Sequence, residues 1–327
     1  MDSMKSIKRL RQRFCKDFNL PINIFEDHYF NYYMRLYDFF PLEMWEYVVT
    51  LVREKYDGNV EEWLNYCADF RDRAIEDTMN SDAYKKFNGE DMSKWDIDPS
   101  VPKIGEHSIF NDEGNGKAFV SIDMKKANFQ ALKYAGVFND ETYEDFVKRF
   151  GGDRYIADSK YLRQVIFGKM NPGRTIKVEK YLMGEIYKFV FKTFDSHFYD
   201  FYSFNSDELI FKQRTPYDFL SRDEATKMEN DIKEKFGIEV RVESVLVRDL
   251  SIVNCNLNKV DAYERTNLYT GEKKLKKAST TYYPQIYKIW KGDSDELCYS
   301  DRVFWTNDQL AVFEKFLMED KDEYHSK

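Results

Sequence analysis

The chain has 327 residues, a formal net charge of −8 at pH 7, and 43% hydrophobic and 17% aromatic residues. This composition excludes a disordered or fibrous chain, because there is ample apolar material for a packed core. No apolar run approaches the roughly 20 residues that span a bilayer, and the acidic charge counts against a protein that coats nucleic acid.

The compartment follows from the N-terminus and the cysteines. The first residues are basic and lack the apolar stretch of a signal peptide. The four cysteines are scattered and never form a Cys-x-x-Cys pair, so neither a zinc site nor a disulfide framework is expected. We expect a soluble protein in the cytoplasm that makes no contact with a membrane.

The first hundred residues are predicted to be mainly helical. Residues 42–56 have a helical pattern, and Asn59 with Glu62 forms a capping-box pattern ahead of a second helix. The polar stretch 80–102 is predicted to be a linker or long loop. We therefore assign residues 1–105 to a helical N-terminal region and linker, which is also the segment where a protein partner would bind.

The middle of the chain alternates between strands and helices. Residues 117–123 alternate like a strand that ends at Asp123. The predicted elements that follow are a helix ending at residue 132, helices over 142–150, 159–167 and 175–194, a hairpin over 200–212, a helix over 221–236 and a strand over 238–247. This order predicts an α+β fold with a palm-like or ferredoxin-like antiparallel sheet and helices on one face, over residues 106–257.

The remaining residues, 258–327, are predicted to form a small mixed C-terminal region. A hairpin is expected around residues 269–271, where a glycine follows a polar pair. A terminal helix is expected from about Asn307. Nothing in this region indicates a specific chemistry.

Two places carry carboxylates in informative positions. Asp123 ends the predicted strand, and Asp207 with Glu208 lies at the tip of the predicted hairpin. Neighbouring strands would bring these acids side by side on the face away from the helices, where they would repel one another without a cation. Mg²⁺ prefers such carboxylate oxygens together with phosphate oxygens. The alternative is that each Asp only caps backbone N–H groups of its turn.

The segment between these acids is basic. In the helix over 159–167, Lys160, Arg163 and Phe167 share one face, which suits a triphosphate and a stacked base. Lys169 extends this set, and Asn171 and Arg174 are candidates for contacts to a template or primer. The alternative is a surface helix with Phe167 in the core. Two further basic clusters occupy residues 5–16 and 273–277.

These features resemble motifs A, B and C of polymerase palms. Residues 122–129 (IDMKKANF) look like motif A of reverse transcriptases, and Arg163, Phe167 and Gly168 resemble the fingers helix of family A DNA polymerases. Residues 204–210 (FNSDELI) look like motif C. The resemblance covers about 130 residues, 117–247, and implies two-metal phosphoryl transfer with Mg²⁺ or Mn²⁺ held by Asp123, Asp207 and Glu208.

The chain departs from these patterns at defined points. The acidic pair follows Ser206 rather than being a doubled Asp, and Asn128 stands where an aromatic residue is expected, with Phe129 one position later. No proofreading exonuclease is visible. Ser206, Asp207 and Glu208 also resemble the second metal motif of tRNA-His guanylyltransferases, although Met124 replaces the glycine after the first Asp.

The leading hypothesis is a metal-dependent nucleotidyltransferase, a small palm-type polymerase that joins nucleoside triphosphates on a nucleic-acid template or primer. One alternative is a catalytically inactive palm-like module that binds nucleic acid or a partner protein. Another is a terminal transferase or nucleotide cyclase on the same sheet.

Overall fold

The computed structural model describes residues 2–37, 42–103, 105, 107–192, 199–214, 220–307 and 309–318. Their architecture is α+β, with helices at the start and middle of the chain and one large antiparallel sheet. In this part of the chain, no helix is both long and apolar enough to cross a membrane.

The helices are most frequent in the first 240 residues. Their bounds are α1 (Asp2–Asp17), α2 (Asp27–Leu36), α3 (Leu42–Lys55), α4 (Val60–Asn80), α5 (Asp82–Gly89), α6 (Ala127–Tyr134), α7 (Tyr143–Arg149), α8 (Arg154–Asp158), α9 (Lys160–Gly168), α10 (Pro172–Phe191), α11 (Arg222–Phe236) and α12 (Tyr283–Lys291). Capping boxes at Thr142 and Ser221 begin α7 and α11, and Gly237 in a left-handed conformation ends α11.

The strands lie in the second half of the chain, apart from the first. Their bounds are β1 (Ala118–Met124), β2 (Tyr199–Phe204), β3 (Glu208–Gln213), β4 (Val240–Asp249), β5 (Ile252–Val253), β6 (Lys259–Val260), β7 (Tyr263–Asn267), β8 (Lys273–Lys276), β9 (Val303–Thr306), β10 (Gln309–Val312) and β11 (Leu317–Met318). The predicted order of strand, helices, hairpin, helix and strand is confirmed between β1 and β4.

Six strands form the main sheet in the order β2-β3-β1-β4-β7-β8, and every adjacent pair is antiparallel. Alternate residues of β1 face opposite sides. Val120 and Ile122 pack in the core formed with α6, α10 and α11, whereas Phe119 packs in a small apolar cluster on the other side. We call the side that carries Phe119, Ser121 and Asp123 the open face.

The hairpin predicted around residues 269–271 is confirmed as β7 and β8. Because β7 pairs with β4, this hairpin extends the main sheet past residue 257. The hairpin therefore places residues 263–276 beside β4, which itself pairs with β1.

The stretch predicted to be a linker, 80–102, is partly helical. It contains α5 and a short 3₁₀ helix, Met92–Trp95. Tyr84, Phe87 and Trp95 are buried in the core beneath the sheet. The polar composition of this stretch predicted a loop, but burial of these three aromatic side chains stabilises a folded segment.

The helix predicted from Asn307 is wrong within the described residues. Strands β9 and β10 pair as a hairpin, and Asn307 has a φ of 46° at its turn. Asparagine tolerates this left-handed conformation better than most residues, so the chain reverses at the position where the helix was expected to begin.

A second core joins the two ends of the chain. It packs residues of α1 to α4 against α12 and β9. The rings of Tyr37 and Tyr283 lie 5.2 Å apart between centroids, and the hydroxyl of Tyr33 donates to the backbone oxygen of Ser300 at 2.8 Å. The N-terminal helices and the C-terminal segment thus stabilise each other.

Candidate functional site on the open face of the sheet

The pairing of β1 with β3 brings the predicted acids together. Asp123 lies opposite Glu208 in the register, and the backbone N–H of Met124 donates to the backbone oxygen of Asp207 at 2.8 Å. The backbone N–H of Asn205 donates to the oxygen of Glu208 at 2.9 Å and closes the hairpin turn. Asp123 therefore meets Glu208, which lies 85 positions later in the chain, at one end of the open face.

The negative charges of these acids raise one another's pKa values. Burial raises the pKa of Asp123 to about 6, the negative charges of Glu208 and Asp207 act in the same direction, and Arg241 opposes them. Burial also raises the pKa of Glu208, again with a contribution from Asp207, although its hydrogen bond from Ser121 at 2.5 Å favours the charged form. The site carries negative charge that its surroundings compensate only in part.

The strand on the other side of β1 supplies cations. Arg241 of β4 lies opposite Asp123 in the register, and its Nη2 atom is 3.0 Å from Asp123 Oδ2. Glu243 accepts from Arg265 Nη2 at 2.6 Å and from Asn267 Nδ2 at 2.9 Å. Burial acts to raise the pKa of Glu243, but Arg265 and Arg241 outweigh it and the pKa lies below its ordinary value.

These side chains line one cavity of about 600 Å³. Its acidic part consists of Asp123, Asp207, Glu208 and Glu243. Its basic part consists of Arg241, Arg265, Lys274 and Lys276. The volume is in the range of small-molecule sites, and the adjacent acids and bases suit a ligand that carries both a metal ion and phosphate groups.

The predicted nucleotide-binding residues of the basic segment lie elsewhere. None of Lys160, Arg163, Phe167, Lys169, Asn171 and Arg174 lines this cavity. Phe167 is only 2% exposed, and the ring centroids of Tyr143 and Phe146 lie 5.9 Å from its own. The expectation that Phe167 stacks on a base is therefore wrong, because no face of its ring is accessible.

The polar residues of that segment have other contacts. Arg174 donates to the backbone oxygens of Phe87 and Glu90 and so holds the end of α5, outside the cavity. The side-chain amide of Asn171 donates to Asn88 at 2.8 Å. Arg163 lies 5.6 Å from the ring centroid of Tyr143. Lys160 and Lys169 are exposed, away from the cavity.

One acid of the site region was missed by the sequence interpretation. Glu179 of α10 is 3% exposed, and burial together with the charge of Asp207 raises its pKa to about 7. Asn128 of α6 donates to Glu179 Oε1 at 2.6 Å. Its burial could have been predicted from the sequence, because Glu179 lies next to Val178 and near Leu182 on the apolar face of an amphipathic helix.

The basic residues of the cavity were also missed as site residues. Lys274 and Lys276 belong to the basic cluster 273–277, but their position beside the acids depends on the pairing of β7 with β4. The alternation of β8 was the available signal, since Leu275 is buried and the lysines on either side share the opposite face.

We expect Glu179→Gln to raise the free energy of unfolding at pH 8 by about 3 kcal/mol in metal-free buffer. A raised folded-state pKa stabilises the protein below the unfolded pKa, and this contribution is lost as the pH rises through about 7. Glutamine keeps the acceptor for Asn128 and cannot ionise. Urea denaturation at pH 5 and pH 8 measures the effect.

The exposed carboxylate of Glu234 on α11 provides a matched control for this measurement, as Glu234→Gln makes the same chemical change on the surface. A gain for Glu179→Gln that is equal at both pH values would contradict the assignment, because ionisation of the buried acid would not then be its cause.

The donor chemistry of the acids suits a divalent cation. Asp123, Asp207 and Glu208 offer the oxygen ligands that Mg²⁺ prefers, and their mutual repulsion would fall when a cation binds. Over the described ranges, however, no group of three or more His, Cys, Asp or Glu side chains is arranged to hold a metal ion. Arg241 already neutralises part of the charge of Asp123.

Comparison with known proteins adds no family to this description. The chain has no significant match to a protein-family model, to a curated protein or to a solved structure. Its function is therefore inferred from the geometry and charge of the site.

Proposed function

We propose that this chain is a metal-dependent nucleotidyltransferase with a palm-like sheet, and that it joins nucleoside triphosphates on a nucleic-acid template or primer. One observation carries the proposal. The acid at the end of β1 and the acid pair at the β2–β3 hairpin meet on the open face, where Asp207 and Glu208 both raise the pKa of Asp123.

Each group of residues then has a role. Asp123 and Asp207 would hold Mg²⁺ or Mn²⁺, with Glu208 as a secondary ligand positioned by Ser121. Such ions activate an attacking hydroxyl and stabilise the leaving pyrophosphate. The cations of β4, β7 and β8 would bind phosphate groups at the other side of the same cavity. Glu179, which is hydrogen-bonded by Asn128, would adjust the charge next to Asp207, because the two acids interact electrostatically.

The sheet arrangement supports this function over the turn-cap alternative. A carboxylate that only caps its own turn needs no acids from another strand beside it. Here acids from two elements lie within electrostatic range of each other and line a cavity that also carries four cations. Phosphoryl transfer requires positioning and charge stabilisation more than specialised side-chain chemistry. Carboxylates that bind a metal ion and cations that bind phosphate are the types of residue that this reaction needs.

The direct test is nucleotide incorporation by the purified chain. Labelled primers on DNA and RNA templates would be incubated with all four deoxynucleoside or ribonucleoside triphosphates and Mg²⁺, Mn²⁺ or EDTA. We expect extended products only with a divalent cation. A reaction with single nucleotides and no template distinguishes a terminal transferase or a cyclase by its products. Absence of incorporation under every condition by folded protein would contradict the proposal.

A second candidate is a catalytically inactive module that binds nucleic acid or a partner protein. The observation in its favour is that Arg241 already pairs with Asp123 at 3.0 Å, while Arg265 and Asn267 satisfy Glu243. Oligonucleotide binding that is unchanged by EDTA and by Asp123→Ala, together with no incorporation, would support this candidate. Nucleotide turnover would exclude it.

A further inference from the structure

Lys276 at the end of β8 differs from the other cations of the cavity. Its side chain is half-buried and lines the cavity. Among the residues that the structure describes, no carboxylate forms an ion pair with Lys276 and no hydrogen bond to its ammonium group is present. A half-buried cation without a partner is costly, because it has lost hydration and gained no compensating charge.

The neighbouring cations are already engaged. Arg241 binds Asp123 and Glu243, Arg265 binds Glu243 at 2.6 Å, and Lys274 lies 3.1 Å from Glu272. Each of these three side chains therefore has a carboxylate partner, whereas Lys276 has none within the described ranges of the chain.

Three other cations of the cavity lie close enough to Lys276 to act on its charge. Burial lowers the pKa of Lys276, and Arg265, Lys274 and Arg241 lower it further, while Glu208 acts in the opposite direction. Lys274 lies on the same face of β8 as Lys276, and Arg265 lies on the neighbouring strand β7, so these cations line the cavity together. An anion at this position would pair with the ammonium group of Lys276, whose charge no carboxylate of the described residues neutralises, whereas a cation would be repelled by it.

The position of Lys276 relative to the acids is also defined. β8 pairs with β7, β7 with β4, and β4 with β1, so the open face changes from acidic at β3 and β1 to basic at β8. Glu208 at the acidic end and Lys276 at the basic end line the same cavity. A ligand with a chain of phosphate groups could therefore reach both parts of the cavity.

We propose that the β7–β8 hairpin supplies a phosphate-binding subsite centred on the Lys276 ammonium group, with Lys274 and Arg265 beside it. The ligand is a phosphate chain, either the polyphosphate of a nucleoside triphosphate or the backbone of a nucleic acid. That the bound phosphate chain takes part in a reaction rests on the proposed function. The subsite itself rests on the cavity and its charges.

The test measures phosphate binding without any reaction. Metal-free protein would be titrated with inorganic tripolyphosphate and, separately, with a single-stranded 12-nucleotide DNA, by calorimetry at low and moderate salt. We expect Lys276→Met to weaken binding of the phosphate ligand about 10-fold or more, since a charge-assisted hydrogen bond is lost. Lys276→Arg should retain most of the affinity, because it keeps the positive charge.

Lys277→Met is the matched control. Lys277 is the next residue, is exposed, and does not line this cavity, so the same chemical change there should leave the affinity unchanged. Thermal melting of each variant confirms that it is folded. Lys276→Arg further separates loss of charge from loss of packing, because methionine and arginine both retain an aliphatic stem.

The two ligands distinguish the sources of phosphate. Dependence on Lys276 for tripolyphosphate indicates a nucleoside triphosphate, and dependence for the oligonucleotide alone indicates a nucleic-acid backbone. Equal affinity of wild type and Lys276→Met for both ligands, or no binding of either ligand by wild type, would overturn the subsite.

Failure of the proposed function gives a different result. Phosphate binding that requires Lys276, with no nucleotide incorporation, keeps the subsite and rejects the enzyme. Incorporation by Lys276→Met with wild-type kcat and KM, together with unchanged phosphate affinity, keeps the enzyme and rejects the subsite.

Discussion

Asp207→Asn is expected to lower the rate of nucleotide incorporation at least about 100-fold, an effect typical of removing one preorganised charge from a reaction centre. The amide oxygen of asparagine carries no formal charge and binds a hard divalent cation more weakly than a carboxylate. Primer extension at saturating Mg²⁺ measures the effect, and raising the Mn²⁺ concentration should restore part of the activity if weakened metal binding is the cause.

The same change should leave the protein folded. Asp207 raises the pKa values of Asp123, Glu208 and Glu179, so removal of its charge relieves repulsion in metal-free protein. We therefore expect a free energy of unfolding equal to or above that of wild type in EDTA, measured by urea denaturation. A loss of activity together with a loss of stability would indicate misfolding and not loss of a ligand.

Asp77 on α4 provides the control for Asp207. It is exposed and does not line the cavity, so Asp77→Asn makes the same chemical change outside the candidate site. Wild-type incorporation by Asp77→Asn combined with none by Asp207→Asn supports the assignment of the hairpin acid. If Asp207→Asn kept wild-type activity, the proposed role of this carboxylate would be rejected.

Phe167→Ala is expected to lower the free energy of unfolding by about 3–5 kcal/mol, the usual cost of removing a large aromatic side chain from a packed core. Phe167 is 2% exposed and packs among the rings of Phe129, Phe138, Tyr143 and Phe146. Truncation would leave a cavity that these rings can fill only in part. Chemical denaturation monitored by circular dichroism measures the loss.

Phe191 offers the matched control for this truncation. It is 47% exposed on α10, so Phe191→Ala should cost about 1 kcal/mol or less. If Phe167 were a stacking platform, its replacement by alanine would instead weaken nucleotide binding and leave stability almost unchanged. That outcome would require an open conformation of α9 that exposes the ring.

Under the proposed function, the residues that follow Asp123 bear on which sugar the enzyme would accept. In the resemblance to reverse transcriptases, an aromatic residue five positions after the first Asp would contact the sugar. Here Asn128 points to Glu179, and Phe129 is 2% exposed in the core. Neither residue lines the cavity, so under the proposed function we expect discrimination between ribose and deoxyribose to depend on other residues.

Much of the fold was determined by local sequence patterns. The helices α3, α4, α7, α9, α10 and α11 and the hairpin of β2 and β3 were all predicted from apolar periodicity, caps and turn residues. Asn59 caps α4 and Thr142 begins α7 as their sequence patterns indicate. Such patterns depend on only a few neighbouring residues. They predict the helices correctly here because the tertiary packing favours the same structure.

The acids of the candidate site were also visible in the sequence, since β1 and the β2–β3 hairpin have clear signals and neighbouring strands must pair. The cations were not. Arg241, Arg265 and Lys276 reach the acids only through the pairings of β4, β7 and β8, which depend on contacts between distant segments. A charge pattern cannot show which strand pairs with which.

The sequence by itself determined the α+β class, the order of elements from β1 to β4 and the positions of Asp123, Asp207 and Glu208 at strand ends. Only the tertiary structure decided that Phe167 is buried, that Arg174 holds α5, and that Glu179 lies near Asp207 with its pKa raised. The physical reason is that periodicity defines which face of an element is apolar, whereas burial, pKa and ion pairing depend on what packs against that face.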